Sequence, residues 1–156
     1  MREYLTIGPL PAKFDRTYRA GNVTLNLARL ECSCDDWTAR RAAFPADDAR
    51  RVCGHLYDKL YATKAERAFD APLQLFIRYG RTMWTYQIVD DAFGTLVIGQ
   101  PWPGSVRALG VVEGKPLLAT YQLAEEDWAG SETPMTAEVA ARVLERLRAA
   151  CPDAFR

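Results

Sequence analysis

The chain has 156 residues, 49% of them hydrophobic and 26% charged, enough for one ordinary domain or a domain with a small module attached. Lys plus Arg and Asp plus Glu both total 20, so the formal net charge is zero, which argues against a protein that lives on non-specific phosphate contacts. There is no run of about 18 apolar residues to cross a membrane, and residues 1–16 lack the apolar stretch of a signal peptide, so a cytoplasmic, reducing location without membrane contact is expected.

Three regions follow in order. Gly8-Pro9 and Pro11 punctuate the start. Residues 23–27 (Val-Thr-Leu-Asn-Leu) alternate apolar and polar, which predicts a strand, with a second strand expected from residues 4–7 or 13–19. Residues 35–51 are polar and irregular. Leu56, Tyr57, Leu60, Tyr61 and Ala65 then lie at helical spacing. Residues 72–124 read as an antiparallel meander of five strands: 73–79, 84–88, 95–98, 105–112 and 116–123. Gly80-Arg81 and Glu113-Gly114-Lys115 are the expected turns, and Gln100 to Gly104 is excluded from strand by its prolines. Trp84 is expected in the core and Trp102 at the surface. A C-terminal helix starts at the N-cap Thr136, carries the stripe Val139, Val143, Leu144, Leu147 and Cys151, and stops at Pro152.

The chemistry concentrates in the first region. Cys32, Cys34, Cys53 and His55 form C-x-C, eighteen residues, C-x-H, and they include three of the four cysteines and the only histidine. Three thiolates and an imidazole complete a tetrahedral zinc site, and this sulfur-rich mixed set suits Zn²⁺ better than Mg²⁺, Ca²⁺ or an iron–sulfur cluster. Two ligands one residue apart on an extended strand point to the same side. Cys53 and His55 must sit where the helix is only starting, because i and i+2 diverge within a regular helix. Four protein ligands close the sphere, which leaves no position for an activated water and makes the zinc structural. The alternatives for the same residues are buried free thiols with a core or solvated histidine, or a disulfide. Cys151 reads as helix filler.

Other chemistry is sparse. Asp35-Asp36, Asp47-Asp48 and Asp90-Asp91 are adjacent pairs that would diverge on a strand, so the last two read as caps or turns. With the one histidine committed to metal, a nucleophile–histidine pair is not expected, no Gly-rich phosphate loop is present, and no catalytic residue is assigned. Arg40, Arg41, Arg50, Arg51 and Lys59 flank the metal ligands and form a candidate phosphate- or partner-binding edge, with a solvated surface as the plainer reading.

The ligand pattern resembles the SWIM-type zinc finger. The residues that carry the resemblance are Glu31-Cys32-Ser33-Cys34-Asp35-Asp36-Trp37 and Val52-Cys53-Gly54-His55-Leu56-Tyr57. They follow an aliphatic strand, include an aromatic shortly after C-x-C, and open an apolar helix. The resemblance spans about residues 20–68. It implies one structural zinc and a role in binding DNA or proteins without chemistry of its own, as in Mutator-type transposases, bacterial chromatin-remodelling-type ATPases and partners of recombinases. Many such fingers carry a basic residue between the last cysteine and the histidine, where this chain has Gly54.

The expectation is therefore an α+β protein. A SWIM-like ββα zinc module over 1–70 precedes a small antiparallel sheet with a C-terminal helix over 71–156, the two packed as one unit. The expected function is a non-enzymatic interaction module with one structural Zn²⁺ that contacts DNA or a protein partner and has no evident small-molecule substrate. The alternative is an enzyme with its active site on the 72–124 sheet.

Overall fold

A computed structural model describes residues 6–130 and 132–156. The chain divides into two compact units, Arg2–Arg81 and Thr82–Arg156, and both combine helix and strand.

In the first unit β1 (Thr17–Ala20), β2 (Val23–Asn26) and β3 (Glu31–Cys32) form an antiparallel sheet in that order. Ala20 pairs with Val23, so the first turn has only two residues, and Gly21 opens it at φ 62. A side chain is strained there and glycine is not. The strand expected from the alternation over 23–27 is β2. Its partner is β1, which overlaps the expected segment 13–19 and runs one residue past it. Residues 4 and 5 of the other lie outside the described residues, and Thr6 bridges to Asp48. The turn into β3 is closed by Asn26, whose Oδ1 accepts from the Arg29 N–H at 3.0 Å. After β3 comes one wide helical turn, Trp37–Arg41, and later a 3-10 turn, Ala49–Arg51. The helix α1 (Gly54–Ala62) buries Leu56 and Leu60 completely, the stripe expected from their spacing. It ends at Thr63, where Lys64 turns left-handed at φ 61.

The strand expected at 73–79 is absent. Those residues form α2 (Ala71–Leu75), which runs on as a wider turn over Phe76–Gly80. Two periods coexist in this sequence. Leu73, Leu75, Ile77 and Tyr79 alternate, but Leu73, Phe76, Ile77 and Gly80 are the buried set, at helical spacing i, i+3, i+4 and i+7. The helical period wins because its start is specified locally. Asp70 Oδ1 accepts from the Leu73 N–H at 3.0 Å, and Pro72 sits in the first turn, where a missing N–H costs nothing.

The second unit is a meander in sequential order: β4 (Tyr86–Asp90), β5 (Gly94–Gly99), β6 (Ser105–Val112), β7 (Lys115–Gln122) and β8 (Asp127–Trp128), all antiparallel. The fifth strand is thus 127–128. Trp84, expected in the core, lies before β4 and is 37% exposed, while Trp102 is at the surface as expected. The β6–β7 turn is Glu113-Gly114, with both residues at positive φ (52 and 77), the backbone that a two-residue hairpin with native twist demands. Gly110, opposite Leu96, sits at φ 155, and a Cβ there would collide with the Thr95 carbonyl oxygen. The helix α3 (Ala137–Ala150) is capped by Thr136, whose Oγ1 accepts from the Val139 N–H at 3.2 Å. Its Val143, Leu147 and Ala150 pack on β5 and β6 in one core with Leu96, Ile98, Val106, Ala108 and Ala119. Burying each large apolar side chain there contributes roughly 1.5–3 kcal/mol. Among the described residues no helix is long and apolar enough to cross a membrane.

Candidate metal centre

The cluster is built from two chain segments. Cys32 ends β3, paired with Leu25 of β2. Ser33 prolongs that pairing, with its N–H on the Thr24 carbonyl and its Oγ accepting from the Thr24 N–H, both at 2.9 Å. The backbone is therefore still held extended between Cys32 and Cys34, and both sulfurs reach one point. Cys53 is the N-cap of α1, at ψ 178, and His55 lies in the first turn. Both pairs thus sit where the sequence demanded, one on an extended edge and one at a helix start.

The three sulfurs and a ring nitrogen of His55 all lie within 4.8 Å of one another. Sulfurs around tetrahedral zinc at about 2.3 Å stand roughly 3.8 Å apart, so the four groups are gathered for a single ion. The cysteines are buried, at 5%, 8% and 0% exposure for Cys32, Cys34 and Cys53. None is in a disulfide. Two backbone N–H groups point at sulfur: Trp37 donates to Cys34 Sγ at 3.4 Å and Leu56 to Cys53 Sγ at 3.5 Å. Such bonds, one from a helix N-terminus, favour thiolate over thiol. Without an ion, burial drives Cys53 the other way, to about 12, and also raises Cys32. Three crowded buried thiols with N–H donors aimed at them make sense around a cation. The donor chemistry fits Zn²⁺, and the residues that would hold it are Cys32, Cys34, Cys53 and His55.

The candidate binding edge divides. Arg41 and Arg51 are 2% and 8% exposed, so they do not face solvent as a phosphate-binding edge requires. Arg41 bonds Asp36 through Nε at 2.7 Å and, through one terminal nitrogen, the carbonyls of Arg50 at 2.8 Å and Arg81 at 3.1 Å. Arg51 bonds the carbonyls of Ala42 at 3.1 Å and Phe44 at 3.0 Å and lies over the Trp37 ring. Arg50 is held by Asp48 at 2.8 Å and stacks on Phe44 at 4.1 Å. Arg40 is exposed, 3.9 Å from Asp36, and Lys59 is half-buried, 6.0 Å from the Tyr18 ring. The four arginines between the ligand pairs look alike in sequence, and burial separates them.

The carboxylate pairs behave as caps and turns. Asp48 Oδ1 accepts from the Arg50 N–H, and Asp91 Oδ1 from the Phe93 N–H. Cys151 is the half-buried C-cap residue of α3, among apolar neighbours, in the second unit. The sequence reading missed Arg81, whose guanidinium donates to the Val52 carbonyl at 3.2 Å, beside Cys53. No local signal could have found it, since it joins the cluster only through the fold of 71–81. Beside the ligands a surface cleft of about 660 Å³ is lined by Asn22, Ser33, Asp35, Asp58 and His55 among others.

Comparison of the chain with protein-family models, with curated proteins and with solved structures finds no match in any of the three.

Proposed function

We propose that this chain is a zinc-stapled, non-enzymatic interaction module, SWIM-like in its ββα ligand arrangement, whose partner is a protein. The observation that carries the reading is the closed ligand set: three thiols and one imidazole within 4.8 Å, with no fifth donor needed and no open position for a substrate or activated water. Zinc in such a site shapes a surface. The choice of protein over DNA rests on where the charge goes. Arg41 and Arg51 are buried against backbone carbonyls, and Arg50 is held by Asp48. The cleft beside the ligands is lined in part by Asp35, Asp36 and Asp58, and a Cys₃His zinc adds about one more negative charge. Phosphates are repelled from such a face, and cationic groups of a protein are attracted.

The test is a titration of labelled duplex DNA with the zinc-loaded protein at low and moderate salt, beside an Arg40→Ala/Lys59→Ala variant. The protein reading expects no binding at either salt. Binding that falls steeply with salt and is lost in the variant would overturn it in favour of DNA, since each phosphate contact contributes about −0.9 to the log–log slope.

A further inference from the structure

We propose that Arg41, Arg51 and Arg81 form a cationic layer behind the four metal ligands, lacing the spacer between the two ligand pairs and supplying the counter-charge to an anionic metal–thiolate centre. This rests on the metal reading above and assigns work to residues outside the ligand set.

The first observation is a charge imbalance. Buried guanidinium groups are normally paired, because a charge taken out of water without a partner loses its solvation uncompensated. Arg41 has Asp36. Arg51, 8% exposed, has two carbonyls and an aromatic ring; half-buried Arg81 has one carbonyl and the Tyr57 ring at 5.5 Å. Among the described residues no carboxylate lies within ion-pair reach of either. Burial, then the neighbouring Arg41, depress Arg81 below the usual guanidinium range. What opposes them is first the Cys53 sulfur and then Asp36. With neutral thiols the three cations of this layer would share Asp36 and, among the described residues, lack a second counter-charge. Thiolates on zinc provide one, since three of them outweigh the ion.

The second observation is the wiring. Residues 33–52 bury little besides Cys34, Arg41, Ala49, Arg51 and Val52, so apolar packing does not hold them. The guanidinium groups do. Arg41 ties Asp36, just past the first ligand pair, to Arg50, just before the second. Arg41 also donates to the Arg81 carbonyl, and the guanidinium of Arg81 in turn donates to the carbonyl of Val52, the residue before Cys53. Arg51 closes back on Ala42 and Phe44 in the middle of the spacer. These are positioning residues. Metal and layer support each other: the ion makes the thiolates that the cations need, and the cations hold the loop that presents Cys53.

The test measures zinc affinity of the full chain by competition with a chromophoric chelator. Arg81→Met keeps the length of the side chain and removes its charge, and Arg81 is exposed enough to spare the fold where Arg41→Met would not. It should weaken zinc about 10–100-fold, the usual range for groups that support ligands. Arg81→Lys should keep most of the affinity. The decisive readout is a cycle with His55→Cys, which adds a fourth thiolate and one more negative charge. The loss from Arg81→Met should be larger in that background, because a counter-charge is worth more beside more charge. Unchanged affinity in Arg81→Met, equal losses for Met and Lys, or losses that multiply without coupling would overturn the layer while leaving the metal site standing. A wild type that binds no zinc would bring down the metal reading first and the layer with it.

Discussion

The two units reach order by different means. In Thr82–Arg156 a sheet of five sequential strands lies under a 14-residue helix, and apolar side chains from both meet in one core. Among the described residues of Arg2–Arg81 no strand exceeds four residues, and the segment between the ligand pairs is held by guanidinium groups and, on our reading, by an ion. Leu27, Leu56, Leu60 and Phe76 are buried in the first unit too, so it does not lack apolar material. What it lacks is buried large apolar side chains in the stretch from Ser33 to Arg51, where Trp37 and Phe44 are only partly covered. A chain can dispense with a local core where a metal and a few charged bonds replace it, and it then becomes sensitive to whatever removes them.

The largest effect that would sharpen this contrast comes from metal removal. Cys53→Ser, or chelation of wild type, should abolish stoichiometric zinc and strip amide-exchange protection from residues 17–62 while strands 86–122 stay protected. Structural zinc supplies roughly 10–16 kcal/mol of apparent free energy at neutral pH, more than a small unit holds in reserve. Elemental analysis and hydrogen exchange by mass spectrometry decide it, and uniform loss of protection in both units would break the contrast. The same site gives a pH dependence. With Cys53 raised to about 12 in the metal-free fold, its proton must leave when the ion binds. Zinc affinity should therefore rise with pH and fall on acidification, with proton release visible by calorimetry in buffers of different ionisation heat.

The next effect belongs to the other unit. Leu147 is fully buried between α3 and the sheet. Leu147→Ala should cost about 2–5 kcal/mol in denaturant unfolding and leave zinc content unchanged. A variant that loses zinc as well would show that the two modes of order are not separable.

Cys151→Ser should do less. Cys151 is half-buried and its thiol is raised by burial alone, without a ligand neighbour. Zinc stoichiometry should match wild type, with a stability change of roughly 1 kcal/mol or less. Loss of zinc in this variant would mean that the ligands are wrongly assigned.

The smallest effect concerns Asp91. Burial acts against its ionised form, but the Phe93 N–H and Arg146, at 3.1 Å, outweigh it and hold the carboxyl below its ordinary range. A carboxyl lowered in the folded state stabilises above its unfolded pKa, and that contribution fades as pH falls through the folded pKa. Asp91→Asn should thus lower Tm slightly at pH 7, less so in high salt, and not at all in strong acid. A Tm difference that persists in strong acid would show that the residue works through its turn hydrogen bonds alone.

Much of this was legible in the chain. The gathering of Cys32, Cys34, Cys53 and His55 into one cluster could be read because metal chemistry limits both residue types and spacing, and because C-x-C on an extended edge and C-x-H at a helix start are local geometries. The hairpin at Glu113-Gly114, the Thr136 cap and the stripe of α3 were local too, each fixed within a few residues. Tertiary structure decided what two local signals left open. Residues 73–79 satisfied both a strand and a helix period, and the cap at Asp70 with burial of Leu73, Phe76, Ile77 and Gly80 selected the helix. It also decided the fate of the arginines. Nothing in the order of residues distinguishes Arg40 from Arg41 or Arg50 from Arg51, yet one of each pair is buried. A guanidinium becomes internal where the fold gathers carbonyls and counter-charge around it, and those come from residues up to 40 positions away.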